Sequence, residues 1–262
     1  QYKLEGHSVT TLAGAKGEAS KVDLEANVEV SATSGCEHVL AVSGVHTIAS
    51  DGKKYNLDSI LGSHPLKFAF QNGKVVDLCT SESESTSALN VKRAVLSLLQ
   101  SSALKESGYA LQHETDIFGN CPTNFEFLKH GSSVVVRKTK DLTKCTHREH
   151  LNLPFSTSSY FVPSDVQTSP LLSGSLNTEQ KLEGGLLKYA SSEEVYNYNP
   201  LSAAESATKV QVNTKLTFVG HSDKPAPPVS DKLWKNFGIP RRPSGRSKRR
   251  CSDHGRTSER FM

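Results

Sequence analysis

A chain of 262 residues is long enough to bury a sizeable core, either as one large β domain or as two small domains. It contains no run of about 18 apolar residues, so the sequence predicts no transmembrane helix. Residues 231–262 hold ten Lys and Arg against three acids and carry +7, which leaves 4 − 7 = −3 for residues 1–230. The overall positive charge is therefore a property of the end of the chain.

The first periodic segment is KVDLEANVEV, residues 21–30, in which apolar and polar residues alternate strictly. A period of two is typical of a half-buried antiparallel strand. The Asn72-Gly73 pair between two apolar runs predicts a tight hairpin. Residues 179–189 have a weak helical pattern. Further strands are predicted over 37–42, 45–49, 66–70, 74–78, 111–117, 124–128, 133–138 and 209–219. Many short strands parted by turns favour a barrel or a sandwich.

Residues 89–100, LNVKRAVLSLLQ, break this pattern with a helical period. The preceding SESESTS supplies acids and hydroxyls that suit a helix N-terminus. A helix of about three turns is marginal in isolation, so packing must hold it. We therefore predict a helix enclosed by a β-barrel; an exposed connecting helix is the alternative. The predicted core residues of this helix are Val91, Val95, Leu98 and Leu99.

The composition changes from Pro225 onward. PAPPVS is typical of a linker, and the basic residues that follow show no apolar period, which predicts a disordered tail. We divide the chain into a domain over 1–222 and a Pro-rich linker with a basic tail over 223–262. The basic run RRPSGRSKRRC (241–251) has no interleaved aromatic residues and no recognisable binding fold beside it, so we do not predict nucleic-acid binding, although the run also suits a localisation signal or a processing site.

No motif in the sequence predicts catalysis. GHSVT (6–10) and GHSDK (220–224) lack the second glycine that a nucleophile elbow needs. Cys145, His147 and His150 lie close together, but their spacing is not a standard zinc spacing and no second ligand pair is near. We therefore predict that the chain is not an enzyme and binds no metal or cofactor.

Four of the five cysteines lie in the body of the chain and the fifth, Cys251, lies in the tail. No C-x-x-C pair occurs, which argues against a zinc ribbon or a thioredoxin-type motif. Long spacings suit two disulfides in a secreted protein, while buried reduced thiols in a cytosolic protein are the alternative. The four are Cys36, Cys79, Cys121 and Cys145.

Three motifs, in this order, resemble the amino-terminal domain of the large lipid transfer proteins, a family that includes vitellogenins, insect apolipophorins, apolipoprotein B and the microsomal triglyceride transfer protein. The motifs are LNVKRAVLSLLQ (89–100), ETDIFGNCPTNFEF (114–127) and KTKDLTKC (138–145). The resemblance runs from about Tyr2 to about Val219. With EGHSVTTLAG near the start, the sequence is most similar to insect apolipophorin precursors.

The resemblance implies a mainly β fold, a many-stranded antiparallel β-barrel enclosing one central helix. It implies a disulfide between Cys121 and Cys145. A second bond between Cys36 and Cys79 is possible but does not follow from the resemblance. Cys251 lies outside the matching region and is left without an expected partner. It further implies an extracellular, secreted lipid carrier, with lipid as the cargo of the full-length form. We expect this chain to be the docking and assembly module, truncated before the lipid-holding sheets.

Family members use this domain to engage lipoprotein-receptor-type proteins or assembly partners, and such receptors capture lysines with acidic modules. The expected contacts are Lys138, Lys140 and Lys144, with Arg137 and Arg148 nearby. An ordinary solvated lysine-rich turn is the alternative. A second hypothesis is a domain that binds or transfers lipid directly, on membranes or lipoprotein particles, which would require an exposed apolar patch.

Overall fold

The computed structural model describes residues 1–12, 19–34, 37–62, 64–81, 83–102, 107–146, 172–198, 208–229 and 233–235. Within these ranges lie thirteen strands, two α-helices and a 3-10 turn at Leu142–Lys144. The helices are α1 (Asp58–Leu61) and α2 (Thr86–Leu99). The strands are β1 (Tyr2–Leu12), β2 (Ser20–Ser34), β3 (Glu37–Ala49), β4 (Lys54–Asn56), β5 (Leu66–Gln71), β6 (Lys74–Thr80), β7 (Gly108–Asp116), β8 (Gly119–His130), β9 (Ser133–Asp141), β10 (Leu172–Glu183), β11 (Leu186–Tyr198), β12 (Thr208–Phe218) and β13 (Leu233–Lys235).

The strands form one antiparallel sheet that curves into a nearly closed barrel. Its order is β6-β5-β3-β2-β1-β12-β11-β10-β9-β8-β7, with β13 beside β6 and β4 beside β3. Successive side chains of a strand alternate between the two faces. Leu4 pairs with Ala26 on one side and with Leu216 on the other, and all three are buried in the core. The prediction of a many-stranded antiparallel β-barrel is confirmed.

Most of the predicted strands are present and are longer than the pattern indicated. Residues 21–30 lie inside β2, and the two strands predicted between residues 37 and 49 are one strand, β3. The predicted hairpin at Asn72 and Gly73 joins β5 to β6, and both residues have positive φ, 49° and 72°. These values are those that a tight two-residue hairpin turn requires. β1 was not predicted, although it lies at the centre of the sheet.

The helical prediction for residues 179–189 is wrong, because β10 and β11 form a hairpin there. The turn lies at Gly184 and Gly185, whose φ values of 58° and 84° favour glycine over any other residue. Leu182 and Leu187 flank the turn as a register pair and both are buried. The two consecutive glycines were the sequence signal for this turn.

The helix α2 begins earlier than predicted and is buried on several sides. Ser85 caps it by accepting a hydrogen bond from the Ala88 amide at 3.1 Å. Val95 and Leu98 are buried in the core as predicted, whereas Val91 and Leu99 are only partly buried and pack against its edge. Ala88, Leu89 and Leu96, which lie off the predicted stripe, are also buried. The helix is therefore enclosed by the barrel and is not an exposed connector.

A buried ion pair between Lys92 of α2 and Glu84 covers one side of the helix. Its ammonium group lies 2.8 and 2.9 Å from the two carboxylate oxygens of Glu84, and it also donates to the carbonyl of His64. Both charged side chains are almost completely buried. The pair ties the loops before β5 and before α2 to the helix itself.

One side-chain amide bridges β6 and β7, the first and last strands of the eleven-strand order that forms the barrel wall. The Val75 amide of β6 donates to Gln100 Oε1 at 2.8 Å, and Gln100 Nε2 donates to the Thr115 carbonyl of β7 at 2.8 Å. The next residue, Ser101, donates its amide to the Gly73 carbonyl at 2.8 Å. The residue that follows α2 thus joins two strands that do not pair with each other in the sheet.

Replacing Gln100 with Ala should lower the free energy of unfolding by about 2–3 kcal/mol, because it removes the partners of the buried Val75 amide and of the partly buried Thr115 carbonyl. Urea unfolding followed by circular dichroism measures the loss. The control is Gln112→Ala, which removes an amide that donates to the partly buried Ser102 hydroxyl at 3.1 Å. A loss at Gln100 no greater than that at Gln112 would show that the barrel does not depend on this bridge.

The predicted tail is described only in part. β13 lies within it and pairs antiparallel with β6 through Leu233 and Thr80. Residues 230–232 and 236–262, including Cys251, lie outside the described residues. The domain boundary at residue 222 and the disorder of the tail stay predictions.

Candidate functional site

Two of the lysines expected to contact a partner lie inside the barrel. Lys138 and Lys140 are 3% and 2% exposed. They follow Val136 along β9 at a spacing of two, so their side chains share the inner face with that buried valine. The expectation that these two residues meet a partner is therefore wrong, because a buried ammonium group cannot reach a protein outside.

Lys138 and Lys140 form a buried ion-pair cluster with two acids of β7. Glu114 Oε1 lies 3.1 Å from the Lys138 ammonium nitrogen and 2.9 Å from that of Lys140. Asp116 accepts a further hydrogen bond from Lys140. β8 separates the two strands, but its buried inward residues Cys121 and Thr123 are small and leave the longer side chains room to meet. We call these four residues, Glu114, Asp116, Lys138 and Lys140, the interior cluster.

The interior cluster also holds the carboxyl end of α2. The last carbonyls of a helix have no partner within it and carry a partial negative charge, so a cation there is favourable. Lys138 donates to the Gln100 carbonyl at 2.7 Å. Gln180 of β10 donates to the Leu98 carbonyl at 2.6 Å and to the Gln100 carbonyl at 3.0 Å. The helix end is thus fixed to two strands of the barrel wall.

Burial and charge act in opposite directions on the pKa values of the interior cluster. Burial raises the pKa of Glu114, but the two ammonium groups and the hydrogen bonds to this carboxylate outweigh it and lower the pKa to about 2. Burial likewise lowers the pKa of Lys140, and its two acidic partners outweigh burial and raise it. Glu114 and Lys140 are therefore held in their charged forms. For the other two members burial is the larger effect, and it raises the pKa of Asp116 and lowers the pKa of Lys138.

A fifth ionisable group, Glu194 of β11, lines a small cavity between α2 and the strands β9–β12. Asp116, Lys138 and Lys140 line the same cavity. Burial raises the pKa of Glu194 to about 7, with a further contribution from the charge of Asp116 and an opposing one from a hydrogen bond with Tyr196. The cavity wall thus contains a partly buried carboxyl group whose pKa is raised toward neutral pH.

The other basic residues expected at the docking surface differ in position. Arg137 lies on the outer face of β9, is half exposed, and its guanidinium group contacts Glu179 at 3.1 Å and Glu126 at 3.4 Å. Lys144 is 69% exposed and lies 3.4 Å from Asp141 in the turn after β9. Arg148 lies outside the described residues. Two exposed cations therefore remain in the described part of the expected surface.

A disulfide joins Cys121 of β8 to Cys145, as the family resemblance implies, with an S–S distance of 2.06 Å. Next to it, Asn120 and Thr146 exchange two backbone hydrogen bonds at 2.7 and 2.9 Å. The bond holds the turn that carries Lys144 against the end of β8. Cys145 is consumed by this disulfide and is not available to a metal, while His147 and His150 lie outside the described residues.

Cys79 of β6 is buried, and its expected partner Cys36 lies outside the described residues, so that pairing stays a prediction. Within the described ranges, no group of three His, Cys, Asp or Glu side chains is placed to hold a metal ion. The helices of the same ranges include none that is long and apolar enough to cross a membrane.

Sequence reasoning missed Glu114, Asp116, Gln100 and Glu194. The signal available was a spacing of two, because Glu114 and Asp116 share one face of a strand and Lys138 and Lys140 share one face of another. Acids and lysines in this pattern can pair across an intervening strand. Nothing local marks Glu194, because the residues before it, Ser191, Ser192 and Glu193, are all polar and show no alternation that would place Glu194 on an inner face.

Residues 1–226 match the vitellogenin N-terminal domain. The chain is 34% identical to apolipophorins of Locusta migratoria over 241 residues and 33% identical to apolipophorins of Manduca sexta over 220 residues. These alignments cover 92% and 84% of this chain but only 7% and 6% of the relatives. A lipovitellin structure, solved to describe lipid–protein interactions, superposes with a TM-score of 0.72 and 20% identity over 90% of this chain and 26% of that one.

Proposed function

The chain belongs to the vitellogenin N-terminal domain family, and we propose that it serves as the amino-terminal docking and assembly module of a secreted lipid carrier. The observation that carries this proposal is the match of 92% of the chain to 7% of an apolipophorin. In this proposal lipid is the cargo of the full-length carrier, and the module recognises a protein partner without catalysing a reaction.

The filled interior of the barrel supports docking over lipid storage. α2 occupies the centre, and the interior cluster places four charged side chains beside its carboxyl end. A buried ion-pair network is a poor environment for acyl chains. An apolar chain that entered would separate the charges from their partners, and buried charges without partners or water cost free energy. In the part of the chain that the structure describes, contact with a partner would therefore take place on the outer surface.

The proposed contact surface consists of Arg137 and Lys144, together with Arg148. Among the described residues, Lys144 has one ion pair, a long one of 3.4 Å with Asp141, and its side chain is well exposed, so its ammonium group can approach a carboxylate of the partner. Arg137 is shared between Glu179 and Glu126, and a partner would have to compete with both. A partner with an acidic, calcium-loaded module suits such a surface, because complementary charges steer association.

The double variant Arg137→Glu, Lys144→Glu should slow association with a calcium-loaded acidic-module receptor ectodomain by about 3- to 10-fold at low salt. Its association rate should also depend less on salt. Surface plasmon resonance at several salt concentrations measures both effects.

The matched control is Lys54→Glu, Lys74→Glu, which changes the net charge equally at exposed positions on β4 and β6. The control should slow association less than the double variant does. Equal slowing by the two variants would mean that only net charge matters. If neither variant slows association, Arg137 and Lys144 are not part of the docking surface.

One observation favours direct lipid binding as a second candidate function. Leu12 of β1 and Val22 of β2 lie near the same end of a strand pair and are 57% and 42% exposed. Exposed apolar side chains of neighbouring strands can meet a lipid surface. Stoichiometric extraction of phospholipid from phosphatidylcholine vesicles by the chain would favour this candidate over docking.

A further inference from the structure

The cavity beside α2, taken together with the buried Glu114 next to it, contains more acidic than basic side chains. Its ionisable side chains are Glu194 of β11, Asp116 of β7, and Lys138 and Lys140 of β9. α2, β10 and β12 contribute only uncharged groups to its wall, among them Ser97, Thr178 and Thr214. With Glu114 included, three carboxyl groups share two ammonium groups.

The two lysines are already engaged by the other acids. Lys140 donates to Glu114 and Asp116, and Lys138 donates to Glu114 and to the Gln100 carbonyl. Glu194 faces the charge of Asp116 and forms a hydrogen bond with Tyr196. Burial raises the pKa of Asp116, whereas the hydrogen bonds that it accepts from Lys140 and from the Phe118 amide favour its ionised form. An ionised Glu194 would add a second negative charge to the cavity wall that holds this carboxylate, and like charges repel.

We propose that Glu194 and Asp116 form a pH-dependent latch inside the barrel, closed while Glu194 is protonated and loosened when Glu194 ionises. Asp116 transmits the change, because its carboxylate accepts hydrogen bonds from Lys140 and from the Phe118 amide, the latter at 2.9 Å. Lys140 and Lys138 share Glu114, and Lys138 holds the end of α2. Repulsion at Asp116 therefore reaches both the β7–β8 turn and the helix. This inference does not depend on the docking proposal.

The direction of the effect follows from the pKa of Glu194, which folding raises from 4.5 to about 7. The folded state binds this proton more tightly than the unfolded state does. The contribution of Glu194 to stability is therefore complete below about pH 4.5 and is lost as the pH rises through 7. Between pH 6 and pH 8, this one group should lower the folding equilibrium constant about tenfold.

The test is urea unfolding of the full chain and of Glu194→Gln at pH 6 and pH 8. The ratio of their folding equilibrium constants should change about tenfold between the two pH values, since Gln keeps the shape and cannot ionise. The control is Glu193→Gln, the next residue, which accepts a hydrogen bond from Gln211. Its pH dependence should follow that of the unsubstituted chain. A Glu194→Gln variant with the same pH dependence as the unsubstituted chain would overturn the proposal.

Two measurements on the unsubstituted chain keep the test decisive if the variant does not fold. The side-chain carboxyl carbon of Glu194, observed by NMR, should titrate with a midpoint near 7, as its pKa indicates. A midpoint near 4.5 would overturn the latch. Hydrogen exchange at the Phe118 amide should accelerate more steeply above pH 7 than intrinsic exchange does, and exchange that follows the intrinsic rate would also overturn it.

Discussion

Replacing Glu114 with Gln should destabilise the barrel by about 3–5 kcal/mol at pH 7, because it removes the carboxylate that two buried ammonium groups share. Lys138 and Lys140 cannot turn outward from the inner face of β9 without losing the register of the strand. The variant therefore keeps two buried cations with Asp116 as their remaining acidic partner. Urea unfolding at pH 7 measures the loss.

The control for this effect is Glu126→Gln on β8, which weakens a partly exposed pair with Arg137 and should cost less than about 1 kcal/mol.

The pH dependence adds a second check. The pKa of Glu114 is lowered to about 2, so its contribution is present above the ordinary range of a glutamate and is lost as the pH falls through 2. The difference between the variant and the unsubstituted chain should shrink accordingly in acid. A loss below 1 kcal/mol at pH 7 would mean that the cluster does not stabilise the fold.

Replacing Leu98 with Ala should lower the free energy of unfolding by about 2–5 kcal/mol, because the enclosed helix cannot move to fill the space. Leu98 is 4% exposed and faces the core at the end of α2 where the strands surround it. Thermal and urea unfolding measure the loss. The matched control is Leu99→Ala, the same change one residue later, at a side chain that is only partly buried. A loss below about 0.5 kcal/mol at Leu98 would contradict the enclosed position of the helix.

The alternation of residues in β2 and the helical period of α2 were enough to predict the barrel and its central helix. They did not show that residues off the apolar stripe of the helix are buried as well. The single apolar stripe implied one buried side, whereas Leu89 and Leu96 are buried as well, and Lys92 is buried with Glu84. From the sequence alone, a charged residue is expected to face solvent. Its burial can be predicted only when its oppositely charged partner is known, and that partner is brought near by the tertiary structure.

The same reasoning explains the error at Lys138 and Lys140. A lysine-rich segment near a cysteine suggests an exposed turn, and Lys144 is indeed exposed. The strand, however, continues to Asp141, so both earlier lysines remain on the inner face. Their acidic partners are more than twenty residues earlier in the chain and reach them across β8. Pairing over a strand depends on register and on the small size of Thr123, which a periodic pattern does not reveal.

The bridge at Gln100 has a consequence for the order of folding. A barrel closed by main-chain pairing of its first and last strands could form before anything fills it. In this protein the link between β6 and β7 passes through residues that follow α2, so the sheet has two separate ends until the helix has docked. Closure of the wall through this bridge therefore requires the end of the helix to be in place, and it brings together residues 75, 100 and 115 from separate parts of the chain, contacts of a kind that slow folding.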